Sequence, residues 1–98
     1  MQEIKQLRKK IDKVDEKILQ SLNKRVELCK SIGLIKEKHG IPIQDFPREN
    51  DVYAHIRERA AEVGLNPSYV EKIYSQIVNM CSAVQDSKNV RNKTPMEN

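Results

Sequence analysis

From Ile4 to about Lys38 the chain holds no proline and a single glycine, Gly33. Apolar residues recur at Ile4, Leu7, Ile11, Val14, Ile18, Leu22, Cys29, Ile32 and Ile35, the spacing of one helical face. About 35 residues at ~1.5 Å each make a rod of roughly 50 Å. A compact chain of 98 residues has a radius of gyration of about 12–13 Å and a diameter near ~33 Å. The rod therefore overhangs its own domain, and its apolar stripe would stand in water unless a second copy covers it. A break at Gly33 would shorten the rod, but the stripe continues on both sides of it. The segment predicts one long N-terminal helix and a homodimer.

The rest of the chain supplies two shorter helices. Gly40 and Pro42 end the first, as a left-handed cap and a block to continuation. A second helix is expected from about Phe46 to Val63, with Asp45 or Phe46 at its N-cap and Pro47 in its first turn. Gly64 ends it, and Asn66-Pro67 opens a third that carries Val70, Ile73, Ile77, Met80 and Val84 to about Lys88. With 4% aromatic residues, no Trp and three Gly, the composition favours an all-α fold over a β-sandwich or barrel. The length suggests one domain, placed at 1–88, with 89–98 as a polar tail.

Several function classes recede on composition. Cys29 and Cys81 stand alone, and His39 and His55 have no metal-ligand spacing, so no disulfide framework and no metal site are expected. No apolar run is long enough to cross a bilayer, and MQEIKQLRKK is not followed by a signal-like apolar region. A cytoplasmic protein without membrane contact is the expectation. The net charge of +4 suits a small anion as well as it suits nucleic acid. No recognition-helix turn or aromatic stacking platform supports the latter.

The informative positions are those that interrupt the apolar stripe. Steps of three or four from Leu22 give Arg25, Cys29, Ile32 and Lys36. Two cations thus share a face with apolar residues, while Glu27 and Glu37 fall on other faces. A buried cation without a partner is costly. Either both side chains reach water or another helix's acid, or they hold an anion. Arg8 keeps the same register, but it lies 17 residues earlier, about 25 Å along the axis. It can join a site with Arg25 only from a second, antiparallel chain. On the third helix Gln85 follows Ile77, Val78 and Cys81 at helical spacing. It is either an edge amide in solvent or a donor facing the same cavity as Lys36.

At this point the sequence resembles the all-helical chorismate mutases. The resemblance rests on L-R-K-K-I-D at 7–12, D-E-K-I-L at 15–19, N-K-R-V-E-L at 23–28 and I-G-L-I-K at 32–36. It continues through I-P-I-Q-D-F-P-R-E at 41–49 and the C-S-A-V-Q that ends at Gln85. It covers about residues 4–86 in order, and the ordered set Arg8, Arg25, Lys36, Asp45, Arg48, Glu49 and Gln85 is its specific part.

The resemblance implies an intertwined dimer of three-helix chains with two sites, each built from both chains. It implies rearrangement of chorismate to prephenate, on the route to Phe and Tyr, without cofactor, metal or covalent intermediate. Arg25 and the partner chain's Arg8 would hold the substrate's carboxylates. Lys36 and Gln85 would donate to the ether oxygen as it gains charge. Asp45, Arg48 and Glu49 would close over the ring-hydroxyl end. For Asp45 a plain N-cap role is equally open. Where relatives can place a small polar side chain four residues before the glutamine, this chain has Cys81, a weak donor; Ser82 or a water is the alternative contact. An isochorismate-pyruvate lyase on the same fold and a non-enzymatic helical binding module are the competing readings. The intact D-F-P-R-E argues against the lyase.

Overall fold

The computed structural model describes residues 1–86 and contains three helices: α1 (Gln2–His39), α2 (Phe46–Glu62) and α3 (Pro67–Gln85). No strand occurs among the described residues, so the all-α expectation with one long N-terminal helix holds.

Each boundary is made by a local device. Gly40 adopts φ 65°, and the N–H groups of Gly40 and Ile41 donate to Glu37 O (3.3 Å) and Lys36 O (2.8 Å). These bonds satisfy carbonyls that the helix end would leave unpaired. Asp45 Oδ1 accepts from the Arg48 N–H at 3.0 Å, with Pro47 in the first turn. Asn66 Oδ1 accepts from Ser68 N–H (2.9 Å) and Tyr69 N–H (3.3 Å), and Pro67 opens α3.

As the continuous stripe predicts, α1 runs unbroken through Gly33. One expectation needs correction. α3 stops at Gln85 rather than near Lys88, because Asp86 is already extended (φ −79°, ψ 106°). The proposed 89–98 tail lies outside the described residues.

α3 is the central element. It packs on both α1 and α2. The body measures 55 × 38 × 16 Å with a radius of gyration of 17.0 Å, well above the ~12–13 Å of a compact chain. Its thinnest dimension is little more than the ~10–12 Å width of one helix. The chain is thus a single layer, whereas stable domains bury apolar faces between two layers. The core reflects this. Cys29, Ala60, Val78 and Cys81 are its buried hydrophobic side chains, and no large side chain is fully enclosed. Residues 2–21 of α1 are exposed throughout. Within them Ile4, Leu7, Ile11, Val14 and Ile18 remain 45–58% exposed. Covering each would contribute on the order of 1 kcal/mol.

Candidate active site

The C-terminal half of α1, the 40–45 connector, the start of α2 and the end of α3 enclose an open cavity of about 360 Å³. That volume suits a small-molecule site. Arg25 and Lys36 reach it from α1, Cys81 and Gln85 from α3, and Asp45, Arg48 and Glu49 from the connector and the first turn of α2. Arg8 does not line it; it sits on the exposed N-terminal half of α1. Seven of the eight residues singled out from the sequence therefore converge in one chain.

The α1 cations are half-buried. The ion pairs among the described residues are Lys30–Glu27, Arg57–Glu71 and Arg59–Glu62, all exposed; Arg25 and Lys36 take part in none of them. Arg25 Nη1 instead donates to Cys81 Sγ at 2.8 Å and lies 3.9 Å from Cys29 Sγ. Sulfur is a weak acceptor, so the guanidinium remains available to a carboxylate. Burial pushes the Cys29 thiol up, and the adjacent Cys81 adds to that push against the pull of Arg25. Cys29 accordingly stays a neutral thiol.

Lys36 Nζ donates to two oxygens at 2.8 Å each, the carbonyl of Ile43 and Oε1 of Gln85. One ammonium thereby ties the connector to the last turn of α3. The contact also orients the carboxamide. With Oε1 turned to Lys36, the Gln85 Nε2 donors are left for another acceptor. At the α2 end, Glu49 Oε2 accepts from Gln44 Nε2 at 2.9 Å, which fixes the carboxylate at the cavity edge. Asp45 lines the cavity and caps α2 at once; Arg48 lines it from an exposed position.

Sequence reasoning assigned no role to the Ile43 carbonyl or the Gln44 amide: both lie in the 41–49 motif, but a backbone carbonyl has no residue-type signal and the Gln44 contact depends on how the connector folds. Ser82, considered as a substitute for Cys81, also lines the cavity. No group of His, Cys, Asp or Glu among the described residues is arranged to hold a metal. No helix there is long and apolar enough to cross a membrane.

The assembled features are an anion-sized cavity, two cations without acid partners and an amide pinned beside one of them. Comparison with known proteins agrees with them. Residues 7–86 match the family model described as chorismate mutase type II. A chorismate mutase of Methanocaldococcus jannaschii is 34% identical over 85 residues, covering 87% of this chain and 86% of that protein. A bifunctional chorismate mutase/prephenate dehydratase of Aquifex aeolicus is 40% identical over 88 residues, but this chain spans only 24% of its length. A 4-amino-4-deoxychorismate mutase of Streptomyces venezuelae is 29% identical over 84 residues, covering 86% of this chain and 82% of that protein. No solved structure matches the chain significantly. Motif order, cavity and matched span converge, and the chain belongs to the type II chorismate mutase family.

Proposed function

We propose that the cavity binds chorismate and rearranges it to prephenate, with no cofactor, in the biosynthesis of Phe and Tyr. The observation that carries this is the Lys36 ammonium, bonded to Ile43 O and Gln85 Oε1 at 2.8 Å inside a cavity that also holds Arg25. It is a cavity with two α1 cations and directed donors. The rearrangement needs nothing else. The ether C–O bond breaks while a C–C bond forms across a six-membered ring of atoms, three electron pairs shift, and no atom is gained or lost.

Each side chain then has a physical task. The substrate is a dianion that must fold into a chair. Arg25 exchanges its weak sulfur contact for a substrate carboxylate, and a second arginine holds the other. Fixing both ends restricts the substrate to reactive conformers. Negative charge grows on the ether oxygen as its bond stretches, so Lys36 and the Gln85 amide stabilise the transition state more than the ground state. Glu49, steadied by Gln44, accepts from the ring hydroxyl; Asp45 holds the α2 terminus, and Arg48 forms the wall. Cys81 and Ser82 sit beside the carboxylate position.

The second arginine is the partner subunit's Arg8. Two observations support this: Arg8 does not line its own cavity, and the apolar stripe from Ile4 to Ile18 is exposed in a single chain. An antiparallel copy would cover that stripe and close the one-layer chain into a two-layer body. A cytoplasmic homodimer without nucleic-acid or membrane partners follows from this reading.

The test supplies chorismate, isochorismate and 4-amino-4-deoxychorismate separately and identifies the products. Prephenate from the first, with slower turnover of the other two, supports the reading. Salicylate and pyruvate from isochorismate as the main activity would make the chain a lyase. Preference for the amino substrate would shift the assignment to the reaction named for the Streptomyces relative.

A further inference from the structure

Gly33 is one of the two buried residues of α1. It lies in a 38-residue helix, although glycine is the poorest helix former after proline. Packing accounts for its presence. A Cβ built at position 33 would lie 2.7 Å from Gln85 Cα, 2.8 Å from Gln85 O and 3.1 Å from Gln85 Cβ. The two shortest contacts are to backbone, so no rotamer change relieves them. The neighbouring positions on this face of α1 complete the pattern. Four residues earlier, Cys29 stands with Cys81 around Arg25 Nη1. Three residues later, Lys36 reaches Gln85 Oε1 at 2.8 Å.

We infer that Gly33 is a positioning residue for the rearrangement: its missing side chain lets the last turn of α3 come close enough for Lys36 to hold the Gln85 amide at the reacting oxygen. The inference rests on the reading of Gln85 as a donor to the ether oxygen. Relief of a 2.7 Å contact to ordinary separations of 3.4–4 Å moves the Gln85 backbone by about 1 Å. A hydrogen bond of 2.8 Å lengthened by that much passes the ~3.5 Å limit of a useful bond. A displacement of about 1 Å at a reacting group costs roughly 100-fold in rate.

The experiment is a double-mutant cycle on kcat and KM with Gly33→Ala, Gln85→Ala and the double variant, each kcat taken per folded chain from circular dichroism. The clash involves Gln85 backbone and Cβ, so it persists in the Gln85→Ala background. Damage to the fold is then the same in both backgrounds, while damage through the amide is confined to one. The expected result is a roughly 100-fold loss of kcat from Gly33→Ala alone, with a smaller change in KM. The same substitution should cost less than about threefold when the amide is already absent. Equal losses in both backgrounds, or a Gly33→Ala chain that no longer folds, would overturn the inference in favour of packing alone. Wild-type kcat in folded Gly33→Ala also overturns it and leaves the Gln85 reading intact. Unimpaired Gln85→Ala overturns both, and so separates the two failures.

Discussion

Replacing Gln85 with Glu tests the proposed chemistry most directly, because it changes one heavy atom and reverses one hydrogen bond. Lys36 Nζ already occupies Gln85 Oε1 at 2.8 Å. In Gln85→Glu one carboxylate oxygen keeps that place, and the other stands where Nε2 was. An ionised carboxylate only accepts hydrogen bonds. Loss of one directed donor at a developing oxyanion costs about 2.7–4 kcal/mol, roughly 10²–10³ in kcat. The new charge adds repulsion against the oxygen that gains charge, and it partly neutralises Lys36 at the same place. At pH 8 the expected loss is therefore about 10³ or more. Protonation restores a donor. The adjacent ammonium favours the charged carboxylate and lowers its pKa, whereas the half-buried setting raises it only modestly. The carboxyl is then mostly ionised across the neutral range, and active molecules are the rare protonated ones. kcat/KM of the variant should climb close to tenfold for each unit of falling pH, up to about 10³ between pH 8 and pH 5, then level off near the carboxyl's pKa. Wild type has no titrating group in this role and should vary little over the same range. The assay is initial-rate chorismate consumption from pH 8 to 4.5, with circular dichroism at each pH. Wild-type activity of the variant at pH 8, or a flat or falling profile on acidification while it stays folded, would refute donation by Gln85.

Other expectations follow from the same geometry. Mixing inactive Arg8→Ala chains with inactive Arg25→Ala chains should restore roughly a quarter of the wild-type sites after subunit exchange, because one site of each mixed dimer keeps both arginines; no recovery after verified exchange argues against shared sites. Lys36→Ala should lower kcat by roughly 10²–10³ or more in a folded protein, since it removes the charge and also frees the Ile43 carbonyl and the Gln85 amide; near-normal turnover would refute its role. Asp45→Ala should lower stability by about 1 kcal/mol through loss of the α2 cap, read as a shifted urea midpoint; an unchanged midpoint would mean that the 3.0 Å cap bond adds nothing. Exhaustive chelation should leave the rate unchanged, because the proposed step moves electron pairs within one substrate; a loss reversed by Mg²⁺ or Zn²⁺ would overturn that.

Sequence alone settles what is decided within a few residues. Gly40, Asp45 and Asn66-Pro67 mark helix ends because a cap needs only its own side chain or backbone angle and the next turn's N–H or C=O groups. The helical period held over most of Ile4 to Ile35 determines one long helix, and its length alone shows that a single chain leaves an apolar face uncovered. The same period puts Arg25 and Lys36 on one stripe and leaves Arg8 beyond their reach. Tertiary structure decides what depends on how helices cross. Arg25 meets Cys81 across 56 positions and Lys36 meets Gln85 across 49, and no local rule sets such distances. Gly33 shows the difference most plainly. Along the chain it is a poor helix former and a candidate break, and only the approach of the Gln85 backbone shows that the position has no room for a side chain. The connector behaves likewise: its turn residues are visible in the sequence, but that the Ile43 carbonyl turns back to Lys36 is seen only in the folded chain. Caps and periodicity are short-range energies carried by neighbours in sequence, whereas the site is formed by packing between elements far apart in it.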